Sequence, residues 1–221
     1  MPLPLLIGSN NPGKLSEIHD LLTDLLPQVR WQRGETLFLP QDLGLDLDVV
    51  EDGHTYAENA ARKALAFCQP SAMITLADDS GLEVTALEGA PGLHSARFAP
   101  PDLPAGQPLT SPIRRAYLLR RLAETGAPRP WAARFVCTVA LALPPAHPGA
   151  EIALSYHVGC CPGEIIPEER GEGGFGYDPI FLLPEEGLTM AEISAARKNQ
   201  LSHRALAVRA ALPALRTALG L

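Results

Sequence analysis

Two aspartates stand side by side at Asp78-Asp79, preceded by the apolar run Met73 to Ala77 and followed by Ser80-Gly81. Read as a buried strand, that run delivers both carboxylates to a strand's carboxyl end, where open α/β sheets take ligands. Adjacent carboxylates in such a place need a counter-charge, and a divalent metal or a shared proton supplies it. Glu51-Asp52-Gly53 and Glu58 offer further hard oxygen donors upstream. Turn chemistry alone accounts for a D-S-G triplet, but the buried strand before it tips the reading toward a metal.

A second group has the character of an anion site. Gly8-Ser9-Asn10-Asn11-Pro12-Gly13-Lys14 lies between an apolar run and a helical pattern. Such a turn aims backbone N–H groups and a positive helix end at one point, which suits a phosphate, and Lys14 adds a charge. The spacing follows most of the G-x-x-x-x-G-K-[ST] pattern but puts Leu15 where a metal-binding hydroxyl is needed. A P-loop-type NTPase is therefore the natural competitor, with Ile74 to Asp78 imitating its second metal-binding strand. A plain turn with a solvated Lys14 is the blander alternative.

Farther along, Gly171-Glu172-Gly173-Gly174-Phe175-Gly176-Tyr177-Asp178-Pro179 sets four glycines around two aromatics. Glycine lets a backbone approach a ligand, and an aromatic on such a loop can stack on a base. The competing reading puts a bulge there, with Phe175 and Tyr177 in the core. Asp178 before a proline is expected to be extended. Arg197-Lys198 and Ser202-His203-Arg204 add basic charge, the second group at a helix start.

The elements that must carry these residues follow from periodicity. Leu3 to Ile7 reads as a buried strand, and Gly13 to Leu26 as a helix stopped by Pro27. A second helix starts at the capping box Thr55-x-x-Glu58, with Ala61, Ala64, Leu65 and Cys68 on one face. Ile113 to Ala123 is an arginine-bearing helix. Trp131 to Leu143 alternates and pairs with Glu151 to Val158 as a long hairpin. Ile180 to Leu183 is a strand, and Ser202 caps a last helix reaching Leu219, with Pro213 as a kink. Strand and helix alternate, then strands dominate, so the class is α/β with a mixed sheet.

Composition narrows the rest. The 221 residues suffice for one large domain or two lobes sharing a core, and 46% hydrophobic with 19% charged residues marks a folded globular chain. A formal net charge of −7 argues against a nucleic-acid-coating surface, so a polyanionic substrate needs a local basic pocket and a cation. The N-terminal apolar stretch is too short for a membrane span and lacks the marks of a signal peptide, which makes a cytoplasmic protein with no membrane partner the expectation. The four cysteines, including the vicinal Cys160-Cys161, read as reduced and buried. The 22 prolines gather in connectors, Ala99 to Pro112 and Pro144 to Gly149.

Six segments, in order along nearly the whole chain, together resemble the inosine triphosphate pyrophosphatase family. They are Ser9 to Lys14 with Glu17; Thr55-Tyr56-Ala57-Glu58-Asn59-Ala60; Ala77 to Leu82; Gly89-Ala90-Pro91-Gly92 leading into Ser95-Ala96-Arg97-Phe98; Gly173 to Pro179; and Lys198 with Ser202-His203-Arg204. The resemblance implies an elongated α/β fold, a mixed central sheet flanked by helices, with two lobes and a cleft between them within a single domain, 1–221, usually as a homodimer. It implies conversion of purine nucleoside triphosphates such as ITP, dITP and XTP to the monophosphate plus pyrophosphate, with Mg²⁺ as cofactor. Carried over, Ser9, Asn10, Asn11, Pro12, Gly13 and Lys14 hold the triphosphate. Asp79 is general base and metal ligand with Ser80 beside it, and Glu51 is the second ligand, with Asp52 as the alternative. Phe175, Gly176, Tyr177, Asp178, Lys198, His203 and Arg204 surround base and phosphates. Arg204 is the expected reader of a 6-oxo group, and Phe175 an unselective stacking surface. The P-loop reading leaves the last three segments unexplained, and a non-catalytic nucleotide-binding protein is the remaining alternative. The chain departs from the family at Val50, where an acid is frequent, and at Ala205, where a glycine is frequent.

Overall fold

The structure is a computed structural model that describes residues 3–147 and 149–221; Met1, Pro2 and Pro148 lie outside the described residues. The chain divides into two compact units. One comprises Met1–Asp79, Cys137–Gly159 and His203–Leu221, the other Ser80–Val136 and Cys160–Ser202.

In the first unit, β1 (Leu5–Ile7) lies parallel to both β2 (Leu37–Phe38) and β3 (Ile74–Val84), with Leu5 opposite Leu37 on one side and Ile74 on the other. A strand flanked in parallel on both sides is buried on both faces, which is why Leu5-Leu6-Ile7 is uniformly apolar. Helix α1 (Pro12–Leu25) follows, with Pro12 at its start, where a missing N–H costs nothing. Its Ile18, Leu21 and Leu22 share one core with β1 and with Ala207, Val208, Ala211 and Leu215 of α5 (His203–Leu219). Helix α2 (Tyr56–Ser71) starts where the capping signal put it. Thr55 Oγ1 accepts from the Glu58 N–H at 3.1 Å, while the Glu58 carboxylate reaches past the cap to the His54 N–H at 2.8 Å.

In the second unit, β4 (Pro91–Gly92) pairs antiparallel with the far end of β3, and α3 (Ser111–Glu124) buries Leu118 and Leu122. The strands β5 (Trp131–Leu143) and β6 (Ala153–Ile165) are neighbours in the sheet. β7 (Phe181–Leu183) pairs antiparallel with β6 and with β8 (Leu188–Thr189). Phe135 and Phe181 stack at 4.4 Å between centroids inside this core. Helix α4 (Ala195–Leu201) ends at Ser202, directly before α5. The sheet order is β2-β1-β3-β5-β6-β7-β8 with β4 on β3, a mixed sheet accompanied by five α-helices among the described residues. None of those helices is long and apolar enough to cross a membrane.

Three boundaries differ from the sequence reading in ways that bear on function. The strand expected to stop at Ala77 runs on to Val84, so Asp78 and Asp79 lie in mid-strand rather than in a turn after it. β6 does not stop at Val158 but continues through Cys160-Cys161 to Ile165, and Cys160 is exposed where burial was expected. Asp178–Ile180 forms a 3₁₀ turn, not an extended stretch, because Asp178 closes the loop behind it.

Candidate functional site

Mid-strand geometry separates the two aspartates. Successive strand residues face opposite sides of the sheet, and the two carboxylates have different contact partners while sharing the fields of Lys14 and Lys63.

Asp78 is 1% exposed. Its Oδ2 meets Lys14 Nζ at 3.0 Å and accepts from Arg204 Nη2 and Nε at 3.2 and 3.3 Å. Its Oδ1 is buried without a hydrogen-bond partner among the described residues. Burial pushes this carboxyl up, but Lys14, Arg204 and Lys63 together overcome it and hold the group well below the usual carboxylate range. Arg204, also 1% exposed, pairs through Nη1 with Glu17 of α1. Cys137 Sγ lies 3.7 Å from the same Asp78 oxygen, and burial and the Asp78 charge push its thiol up, so it stays protonated. Helix α5 comes close enough to present Arg204 because β6 carries glycine at position 159. A Cβ there would lie 2.1 Å from the His203 carbonyl oxygen and 2.4 Å from the Ala207 nitrogen.

Asp79 belongs to a different set, on α2. Asn59 Nδ2 donates to its Oδ2 at 3.1 Å, and Lys63 Nζ stands 3.6 Å from its Oδ1. The same ammonium reaches Glu51 Oε1 at 2.5 Å. Asn59 and Lys63 are one turn apart on α2, so both point to the same side. Burial raises the Asp79 carboxyl, and Lys63, Lys14 and Asn59 offset this only in part. Lys63 shows the converse: burial would lower its ammonium, but Asp78, Asp79 and Glu51 raise it. Asp52 is turned away to Arg62, and Glu58 is occupied at the helix cap. Glu51 is thus the acid that converges with Asp79.

The Ser9–Lys14 turn is braced from within. Asn11 Oδ1 accepts from the N–H groups of Gly13 and Lys14 at 3.0 and 3.4 Å, and Ser9 Oγ accepts from the Asn11 N–H at 3.2 Å. Two of the amides expected to face a phosphate are therefore engaged by Asn11. Asn10 is exposed beside Gln41 and the Leu47 carbonyl. Lys14 is no solvated surface residue, since its side chain is mostly buried against Asp78.

In the second unit, the glycine-rich loop folds around Asp178. Asp178 Oδ2 accepts from the Phe175 N–H at 3.0 Å and from Lys198 Nζ at 2.7 Å. Gly174, with φ +72°, leaves room for that oxygen, which a Cβ would meet at 2.0 Å. Phe175 is 38% exposed, and Lys198 Nζ stands 5.3 Å from its ring centroid. Tyr177 is buried, and its hydroxyl donates to the Ser95 carbonyl at 2.9 Å. Of the two aromatics, Tyr177 is core and Phe175 is partly exposed.

The basic helix start is enclosed. The Arg204 guanidinium is buried and held by Asp78 and Glu17. Its physical role is counter-charge to two acids. His203 and Ser202 are buried as well, and Ser80 is half-buried next to Asp79. Sequence reasoning gave Asn59 and Glu17 no role and passed over Lys63. The signal was present, since Asn59 and Lys63 interrupt an otherwise alanine-rich buried face at helical spacing.

Glu51 and Asp79 already converge on one cation, the Lys63 ammonium, and both are hard oxygen donors. No group of three acidic, histidine or cysteine side chains is arranged to cage a metal among the described residues. Mg²⁺ does not require such a cage, because it binds through one or two carboxylates, water and substrate phosphates. The residues present fit that pattern.

Known proteins share this architecture. A dITP/XTP pyrophosphatase of Desulforamulus reducens is 41% identical over 214 residues, covering 96% of both chains. One from Xanthomonas campestris pv. campestris is 44% identical over 204 residues and 92% of each. Among solved structures, a HAM1 protein from Coxiella burnetii superposes with a TM-score of 0.79 at 33% identity, covering 98% of this chain and 100% of that one. The Ham1 family model matches residues 5–214. With the family pattern running through almost its whole length, the chain belongs to the Ham1 family.

Proposed function

We propose that this chain is a nucleoside-triphosphate pyrophosphatase, a hydrolase of acid anhydrides, that converts non-standard purine nucleotides such as ITP, dITP and XTP to the monophosphate plus pyrophosphate. Similarity to relatives named dITP/XTP pyrophosphatase supports the reading. One observation carries it chemically: Asp79 is a buried carboxylate with a raised pKa, oriented by Asn59 and Lys63. A base raised toward the working pH is better matched to abstracting a proton from water than an ordinary surface carboxylate.

In this reading Asp79 orients the attacking water and takes its proton. Asn59 fixes the carboxylate, and Lys63 and Lys14 supply positive charge beside the cleaved anhydride. Mg²⁺, when bound by Asp79 and Glu51, adds charge neutralisation on the phosphate oxygens. Ser9 to Lys14 take the triphosphate, with Lys14 exchanging part of its contact with Asp78 for a phosphate oxygen. An ammonium has three donors and need not leave one partner to gain another. Phe175 offers the base a stacking face beside Lys198 and Asp178. The same reading makes the enzyme a cytoplasmic homodimer without nucleic-acid or membrane partners, and the net charge of −7 supports the exclusion of nucleic acid.

The decisive assay incubates the protein with ITP and Mg²⁺ and identifies the phosphorus product. Pyrophosphate with IMP is expected. Orthophosphate would favour P-loop-type chemistry, and binding without turnover a nucleotide-binding module. Two substitutions refine the picture. Lys14→Ala is expected to raise KM for ITP roughly tenfold or more, the worth of a charge-assisted contact; an unchanged KM in steady-state kinetics would confine Lys14 to its pairing with Asp78. Phe175→Leu is expected to weaken ITP and ATP alike, since stacking is tolerant of base identity. A changed ratio of kcat/KM for the two nucleotides would show Phe175 to be selective.

A further inference from the structure

Helix α3 opens with two consecutive arginines that the proposed chemistry does not use. Arg115 is buried, and each of its three guanidinium nitrogens donates a hydrogen bond. Nε and Nη2 donate to the two Glu169 oxygens at 2.9 and 2.7 Å, and Nη1 donates to the Gly176 carbonyl oxygen at 2.9 Å. The Glu169 side chain is about half exposed, so the ion pair by itself adds little stability. What the two-pronged grip does is set the plane of the guanidinium and so aim the Nη1 N–H that meets the Gly176 carbonyl.

That N–H lands on a permissive point of the loop. Gly174 and Gly176 both have positive φ, +72° and +64°, and glycine there can rotate its peptide at small steric cost. Asp178 fixes the loop before Gly176, through the Phe175 N–H, and the Tyr177 hydroxyl fixes it after. The Gly176 carbonyl lies between these anchors, and Arg115 holds it. Arg114 braces the other side, donating to the Ala96 carbonyl at 2.7 Å, next to the Ser95 carbonyl that receives Tyr177.

We propose that Arg115 is a positioning residue for base selection. By locking the Gly176 peptide it holds the Phe175 ring and the Asp178–Lys198 pair in one arrangement. The ordering cost is then met before the nucleotide arrives, and affinity gains accordingly. This rests on the reading that the loop receives the purine, and its test separates the two claims.

Arg115→Met keeps the aliphatic stem packed and removes every donor; Arg115→Lys keeps the charge but cannot span Glu169 and the Gly176 carbonyl together. In the full-length protein, amide hydrogen exchange at residues 173–178 is expected to quicken about tenfold in Arg115→Met, the worth of a hydrogen bond to a charged donor, and less in Arg115→Lys. KM for ITP is expected to rise by a similar factor with kcat within about threefold, and the ITP/ATP preference to narrow. A purely structural role would instead lower the active fraction, so apparent kcat would fall at constant KM. That result, or unchanged exchange in the loop, overturns the positioning role. Faster loop exchange with wild-type KM and preference overturns the link to base selection. If the wild type releases no pyrophosphate from ITP, the pyrophosphatase reading fails by itself, and loop exchange still decides whether Arg115 orders the loop.

Discussion

Asp79→Asn is expected to abolish most ITP turnover while leaving the protein at least as heat-stable as the wild type without divalent cations. Loss of a positioned general base costs about 10²–10⁴ in rate, and loss of a metal-binding oxygen adds to that. The stability side follows from burial. Asp79 is buried and its carboxyl is raised, with Lys63, Lys14 and Asn59 only partly offsetting the desolvation. A carboxyl whose pKa rises on folding favours the folded state at low pH and opposes it once pH climbs above the folded value. At neutral pH the ionised group therefore costs stability. Asparagine has the same shape, removes the charge and leaves Lys63 paired with Glu51. Activity and stability should move in opposite directions, the signature of a group retained for function. Mg²⁺ should raise the melting temperature of the wild type but not of the variant, because only a cation that binds the folded state stabilises it. Near-normal pyrophosphate release by Asp79→Asn would remove the residue from the mechanism. A melting temperature several degrees lower would make it a structural strut.

The fold and the site were legible in the sequence to different depths, and the reason is physical range. Local signals worked. Thr55 starts α2, Pro12 starts α1, and the alternation of Trp131 to Leu143 gives β5 to the residue. Signals that depend on what packs above were missed. Nothing between Ala77 and Asp78 marks a strand's continuation, because a carboxylate ends a strand unless cations distant in sequence cover it. Here they come from Lys14, Lys63 and Arg204. The same non-local pairing hid the role of Arg204, whose partners Asp78 and Glu17 lie 126 and 187 residues away along the chain. Helix α4 escaped notice because seven residues are too few for a hydrophobic period to show. The glycine-rich loop was read as chemistry from its composition. Which aromatic would face outward was set by the Tyr177–Ser95 contact, 82 residues apart.

Arg204→Ala is expected to be strongly destabilising, and to leave purine preference unaltered. Its buried guanidinium lies between buried Asp78 and partly exposed Glu17. Asp78 and Arg204 are buried while Glu17 keeps part of its hydration, and such a group gains less from the attraction than its strength in a dry medium suggests, since the buried charges have lost their water. Removing one member is another matter, because the remaining charges stay buried with fewer partners. The typical cost is about 3–5 kcal/mol, which in a chain of this size lowers the melting temperature on the order of 10 °C. Lys14 still faces Asp78, so the loss should fall short of unfolding at room temperature. Arg204→Lys should recover little, because an ammonium has no fork to serve two acids at once. Adding Asp78→Asn to Arg204→Ala should cost less than the sum of the two single changes, as expected for residues in one network. For catalysis, ITP and ATP should lose kcat/KM in proportion to the folded, correctly charged fraction. A variant that keeps its melting temperature yet loses its preference for ITP over ATP would return Arg204 to the role of base reader.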